Sequence, residues 1–133
     1  MGENQSPIPR KESILFFENA IRSHSKVRGL TKINDFYYSI DRINLKSVKI
    51  FITNLYTIGL ADYLEINDIF NDLDGIVTIS NWNGYTSQVK SVAKKNRIGI
   101  FIFEEFMGAL NINDIYNYTK RDSRGNIISF SSK

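Results

Sequence analysis

Residues 75–103 constrain this chain more than any other stretch. Gly75–Ser80 and Ile98–Phe103 are short apolar runs, and between them Tyr85–Asn96 sets Val89, Val92 and Ala93 at helical spacing. Neither run alternates between apolar and polar residues, as expected of parallel strands covered on both faces. Strand, helix, strand is therefore the unit to build on, with the right-handed crossover that nearly all such units take. A helix and two strands of this kind need a larger sheet around them.

The remainder of the chain can supply it. Residues 1–9, with Pro7 and Pro9, read as a flexible leader, and Pro9 stands where a helix can begin. A first helix is expected from about Arg10, where Ile14, Phe17, Ile21 and His24, joined by Ala20 and Val27, form one apolar stripe and Gly29 supplies a stop. Phe36–Ile43 and Val48–Thr53 are rich in β-branched and aromatic residues and form an antiparallel pair turned at Asn44–Ser47. In the second of them Val48, Ile50 and Ile52 face one way, and Lys49, Phe51 and Thr53 the other. Thr57–Asn71 carries Ile58, Ala61, Leu64, Ile66 and Ile69 at helix-like spacing, and a last helix starts near Glu104 with Phe106, Met107 and Leu110. Ser123–Asn126 is a turn signal ahead of Ile127–Phe130. The fold class this predicts is α/β, a single domain with a mixed β-sheet flanked by helices. It spans 10–112, followed by a basic C-terminal extension over 113–133 that can form a hairpin.

Composition removes whole classes of chemistry. With 133 residues and 42% hydrophobic content there is material for one packed core. The absence of cysteine excludes thiol nucleophiles, disulfides and thiolate zinc sites, and the one histidine leaves little for a histidine-rich metal centre. His24 lies on the apolar stripe and reads as a packing residue at the core boundary. No apolar run approaches the roughly 18 residues of a membrane span, and Gly2–Arg10 lacks the apolar stretch of a secretory signal, so the expectation is a cytoplasmic protein without a membrane partner.

The net charge of +3 is modest, but its distribution is uneven. Met1–Lys49 holds nine Lys/Arg against five Asp/Glu, Ile50–Asn83 none against five, and Gly84–Lys133 eight against four. Two basic segments flanking an acidic one suit a two-faced surface.

Ser80-Asn81-Trp82-Asn83-Gly84-Tyr85-Thr86, followed by Val89, Ala93-Lys94-Lys95-Asn96 and Ile98, resembles the closing strand–helix–strand of Mrr-type restriction endonucleases. In that family a strand ends in small polar residues, a Gly-aromatic-Thr step opens a helix, and Ala-Lys-Lys-Asn leads into the last strand. Glu104-Glu105-Phe106 sits where those proteins open a last helix. The resemblance covers about residues 75–110. It implies the PD-(D/E)XK nuclease fold, in which acidic residues hold Mg²⁺ and a lysine two residues after the second ligand serves the attacking water. Carried onto this sequence, Glu18 and Asp41 are the implied metal ligands and Glu18, Asp41 and Lys49 the implied catalytic set. Ser47 occupies the position two before Lys49, and a hydroxyl cannot replace a carboxylate's charge on the metal.

A degenerate, non-cleaving domain that binds nucleic acid, or a partner of the nucleic-acid machinery, is therefore the leading expectation. It needs no cofactor. The alternatives are an active Mg²⁺-dependent nuclease and a small adaptor. Nucleic-acid binding would fall to Trp82 at the carboxyl edge of the sheet, to Tyr85 as a stacking platform, and to the row Lys90, Lys94, Lys95 and Arg97, extended by Lys120, Arg121 and Arg124. An adaptor would dock on a protein partner through Asp62, Glu65 and Asp68, which recur every three residues on one helix face.

Overall fold

The computed structural model describes residues 8–80 and 82–128. The leader through Pro7, Asn81 and the end of the expected Ile127–Phe130 strand lie outside them. Helix α1 spans Lys11–Arg22, directly after Pro9 and Arg10, and buries Phe17 and Ile21. It stops short of the expected Gly29. The Ser23 hydroxyl donates to the Asn19 carbonyl at 2.9 Å. His24 then binds outside the helix through both ring nitrogens: Nε2 donates to the Met107 carbonyl at 2.8 Å, and Nδ1 accepts the Lys26 N–H at 3.1 Å. The chain turns there, and Val27–Asn34 becomes strand β1, which corrects the reading of Val27 as part of the helical stripe.

Strands β1, β2 (Tyr37–Arg42) and β3 (Leu45–Thr53) form an antiparallel meander. The β2–β3 turn is tighter than expected, with Arg42 opposite Leu45 and Asn44 in the left-handed region at φ 59°, where asparagine is tolerated better than most residues. Next come β4 (Thr57–Ile58), α2 (Leu60–Ile69), β5 (Gly75–Thr78), β6 (Gly84–Tyr85), α3 (Ser87–Lys95), β7 (Gly99–Ile102) and α4 (Phe103–Ala109), then a 3₁₀ turn at Ile115–Asn117. The main sheet runs β1-β2-β3-β5-β7, with β3, β5 and β7 parallel; β4 and β6 make a separate parallel pair. The fold is thus α/β, with a mixed five-stranded sheet flanked by four helices, as the sequence implied.

Each face of the sheet has its own core. Phe17 and Ile21 of α1 and Phe106, Ala109 and Leu110 around α4 pack over Tyr38, Ile40, Ile50, Ile52, Val77 and Phe101. Tyr63 and Ile66 of α2 and Val89 and Ala93 of α3 pack over Tyr37, Ile76 and Ile100 on the opposite face. Ile76 and Val77 are both fully buried, as are Ile100 and Phe101, each pair facing opposite ways. That explains the missing alternation: neither face of these strands meets water. Burying such side chains contributes roughly 1.5–3 kcal/mol each.

Two expectations shift in detail. Ile58 lies on β4, and α2 begins after Gly59, whose N–H donates to Asp62 Oδ2 at 2.8 Å. This phase turns Tyr63 and Ile66 inward and leaves Leu64 and Ile69 exposed. The core also reaches past residue 112: Ile115 is buried in it and Tyr118 packs against it. Beyond that, Arg121 and Ile127 form an antiparallel bridge around a turn in which Gly125 takes φ 87°.

Candidate functional site

The sheet separates the implied catalytic residues. Glu18 lies on α1, over the face that carries Tyr38, and accepts the Tyr38 hydroxyl at 2.7 Å while pairing with Lys32 at 3.5 Å. Burial and this carboxylate push the Tyr38 hydroxyl's pKa upward. Asp41 and Lys49 alternate with the buried Ile40, Arg42, Val48 and Ile50 and so project from the other face. Asp41 pairs with Arg28 at 3.7 Å and accepts the Ser47 hydroxyl at 3.2 Å. A Mg²⁺ ion held jointly by Glu18 and Asp41 does not fit this placement. Among the described residues no group of three or more histidine or acidic side chains is placed to hold a metal ion.

Lys49 meets a different carboxylate from the one expected two residues before it. Its Nζ lies 3.2 Å from Asp72, which also accepts a short hydrogen bond from the Tyr37 hydroxyl. The tyrosine bond and then Lys49 hold the Asp72 pKa below the ordinary carboxylate range. Asp74 Oδ2 accepts the Lys49 backbone N–H at 2.7 Å, and burial raises the Asp74 pKa. Asp74 lines a polar cavity of about 350 Å³ together with Lys46, Ser47, Arg97, Asn113 and Asp114. Two cations and two carboxylates share its wall, and Lys46 is already paired with Asp114.

A buried arginine and a cluster of small polar side chains hold this end of the molecule together in ways that sequence patterning does not assign. Arg42 is 1% exposed and spends its guanidinium on the carbonyls of Lys46, Leu110, Ile112 and Asn113. At the carboxyl ends of β3 and β5, the Asn83 amide donates to Asn54 at 3.0 Å and to Thr78 at 2.9 Å, and Ser80 also donates to Asn54. The only available signal was the density of small polar residues in Ser80–Thr86.

The expected nucleic-acid row divides in two. Tyr85 is 3% exposed and donates its hydroxyl to Glu105 at 2.8 Å, so its ring is not available for a base to stack on. Lys90 reaches over the outer edge of β7, donating to the Ile100 carbonyl at 2.5 Å and pairing with Glu105 at 3.4 Å. Both are corrected as surface contacts: helical spacing placed Lys90 on the side of α3 that meets the sheet edge.

Lys94, Lys95 and Arg97, by contrast, are exposed at the end of α3. They have no ion-pair partner among the described residues, whereas Arg28, Lys32, Lys46, Lys49, Lys90 and Lys120 each have one. The helix closes with the Ile98 N–H on the Ala93 carbonyl and the Arg97 N–H on the Lys94 carbonyl. This is a Schellman closure, and it sets Arg97 at φ 63° where glycine is usual. Trp82 is exposed at the opposite end of α3, just after β5, so it does not join the trio in one compact patch.

On α2, Asp62 is engaged in capping the helix, while Glu65 and Asp68 are exposed. Asp62 and Glu65 border a mostly apolar groove of about 310 Å³ that Phe51, Leu55, Ile66 and Ile69 help to form. No helix among the described residues is long and apolar enough to cross a membrane. Comparison with models of protein families, with curated proteins and with solved structures gives no match to this chain.

Proposed function

We propose that this chain is a degenerate restriction-endonuclease-like domain that binds nucleic acid through its phosphates and does not cut it. The observation that carries the proposal is the exposed trio Lys94, Lys95 and Arg97 at the end of α3, without an ion-pair partner among the described residues. Three exposed cations within four residues, none of them in an ion pair among the described residues, attract a polyanion and gain by releasing its counterions. Two of them also lie in the last turn of the helix, where they favour its negative end, so the row serves stability and binding together. The non-cleaving half of the proposal is supported by the separation of Glu18 from Asp41 and Lys49 and by Ser47 in place of a carboxylate.

Fluorescence anisotropy with labelled single- and double-stranded DNA and RNA at two salt concentrations tests the binding. A denaturing gel of the same samples with and without Mg²⁺ or Mn²⁺ tests for cutting. Salt-weakened binding with intact strands is expected. Absence of binding at low salt would overturn the proposal, and so would metal-dependent cleavage that disappears in Asp41→Ala or Lys49→Ala.

A further inference from the structure

A third concavity, of about 300 Å³, lies between α3 and the segment that follows the 3₁₀ turn. Ser87, Lys90, Ser91 and Lys94 line it from α3, and Lys120 and Ile127 from the later segment. At its floor Glu105, 3% exposed, is fully engaged: Oε1 accepts the Ile102 N–H at 3.2 Å, and Oε2 accepts the Tyr85 hydroxyl and Lys90. It has little capacity left for another cation. Lys90 sits over the rings of Phe101 and Tyr85, at 4.6 and 4.8 Å, and donates to Ile100 and Glu105. An ammonium carries three N–H groups, and Ile100 and Glu105 accept two of them. Lys94 stands one turn further along the same helix and faces the same space. Burial and then, after the opposing pull of Glu105, the charge of Lys94 lower the Lys90 pKa. Lys120 closes the far side, paired with Glu104 at the rim at 3.4 Å.

We infer that this cavity is a binding site for a phosphomonoester, its phosphate set among Lys90, Lys94 and Lys120 and its organic part against Ile127. A phosphomonoester brings close to two negative charges and three acceptor oxygens. Lys94, outside any ion pair among the described residues, and the hydroxyls of Ser87 and Ser91 supply donors of the matching kind, Lys90 and Lys120 add positive charge beside them while each pairs with a glutamate, and the anion relieves the like-charge pair on α3. The volume stands at the small end of ligand pockets, which suits a single nucleotide. Only Lys94 belongs to both this cavity and the exposed trio, so the inference does not depend on the proposed binding of internal phosphodiesters.

Titration calorimetry of the full chain with AMP, adenosine and inorganic phosphate tests it. AMP is expected to bind saturably, one per chain, and adenosine not at all. Lys94→Gln should weaken AMP about tenfold, the loss of one charge-assisted contact. Ser91→Glu, at an exposed helix position that tolerates glutamate, should abolish binding by placing a like charge against the phosphate. Lys95→Gln, outside the cavity, should leave it unchanged. A 5′-phosphorylated oligonucleotide compared with its 5′-hydroxyl counterpart distinguishes the source. Tighter binding of the phosphorylated strand supports the site with a strand end as ligand, and AMP binding without that gain supports it with a free nucleotide. Failure of AMP to bind at millimolar concentration, equal binding of adenosine, or undiminished AMP binding by Ser91→Glu would each overturn the inference.

Discussion

Replacing Arg42 by alanine should cost more stability than any surface substitution in this chain. The Arg42 side chain donates from Nε to Lys46 O at 2.7 Å, from Nη1 to Leu110 O at 2.9 Å and Ile112 O at 2.6 Å, and from Nη2 to Asn113 O at 3.1 Å. These bonds tie the β2–β3 turn to the end of α4. At roughly 1.5–3 kcal/mol for each hydrogen bond from a charged donor, four bonds amount to about 6–12 kcal/mol. Burial opposes them: it lowers the guanidinium pKa, and removing an ion from water costs several kcal/mol. The difference, about 3–5 kcal/mol, is the expected loss. Urea denaturation followed by circular dichroism measures it. With a slope of about 2 kcal/mol/M, the midpoint should fall by about 2 M at unchanged slope. Arg42→Lys keeps the charge but has only three donors on a single nitrogen and cannot reach carbonyls spread around a planar fork, so it should lose more than half as much. A midpoint shift below about 0.5 M for Arg42→Ala, with an unchanged slope, would show that the four bonds do no more than offset the burial of the charge.

Other expectations follow from named contacts. Glu105→Gln leaves Lys90 without its counter-charge and should cost about 3–5 kcal/mol in urea denaturation, most of it recovered in the double variant Lys90→Met/Glu105→Gln, where both charges of the pair are gone. The Tyr37–Asp72 bond depresses the Asp72 pKa. Its contribution, read as wild type minus Tyr37→Phe, should therefore be full above the ordinary carboxylate range and vanish as pH falls through the lowered Asp72 pKa. The raised Tyr37 pKa keeps that contribution in place up to the ordinary tyrosine pKa, and it should be lost as pH rises through the higher folded-state pKa. Arg97→Gly relieves a left-handed side-chain residue while removing a helix-end charge, so stability by urea denaturation should stay within about 1 kcal/mol of wild type, even as nucleic-acid binding weakens.

The strand–helix–strand unit of residues 75–103 was the most legible part of the fold, because strands covered on both faces write a continuous apolar run into the sequence. The β2–β3 pair was legible for a related reason: the period-two pattern of β3 holds from Val48 to Ile52. Strand β1 was hidden. Its eight residues form a largely exposed edge with little apolar signal, and Val27 falls on the helical spacing of α1, so the pattern ran past the true end at Ser23. The Ser23 hydroxyl on the Asn19 carbonyl and the pairing of both His24 nitrogens outside the helix mark that end. On α2 the apolar residues outnumber the buried ones, and the start at Leu60 decided which of them turned inward. At the candidate site, residue type was legible and partners were not. Lys90 and Lys94 look equivalent along the sequence, yet one is tied to the sheet edge through Ile100 and Glu105 while the other, beside the same cavity, is exposed and outside any ion pair among the described residues. Lys49 finds its carboxylate in Asp72, 23 residues away, because β3 pairs with β5 in a register that sets Ile50 beside Gly75.

The most direct measurement is the salt dependence of duplex-DNA affinity for the wild type and for Lys94→Ala/Lys95→Ala/Arg97→Ala. With three phosphates engaged by the trio, the slope of log K against log salt should be about 2.7 units shallower in the triple variant, at 0.9 per contact. Equal slopes in the two proteins, with both folded, would contradict the assignment of phosphate binding to the end of α3.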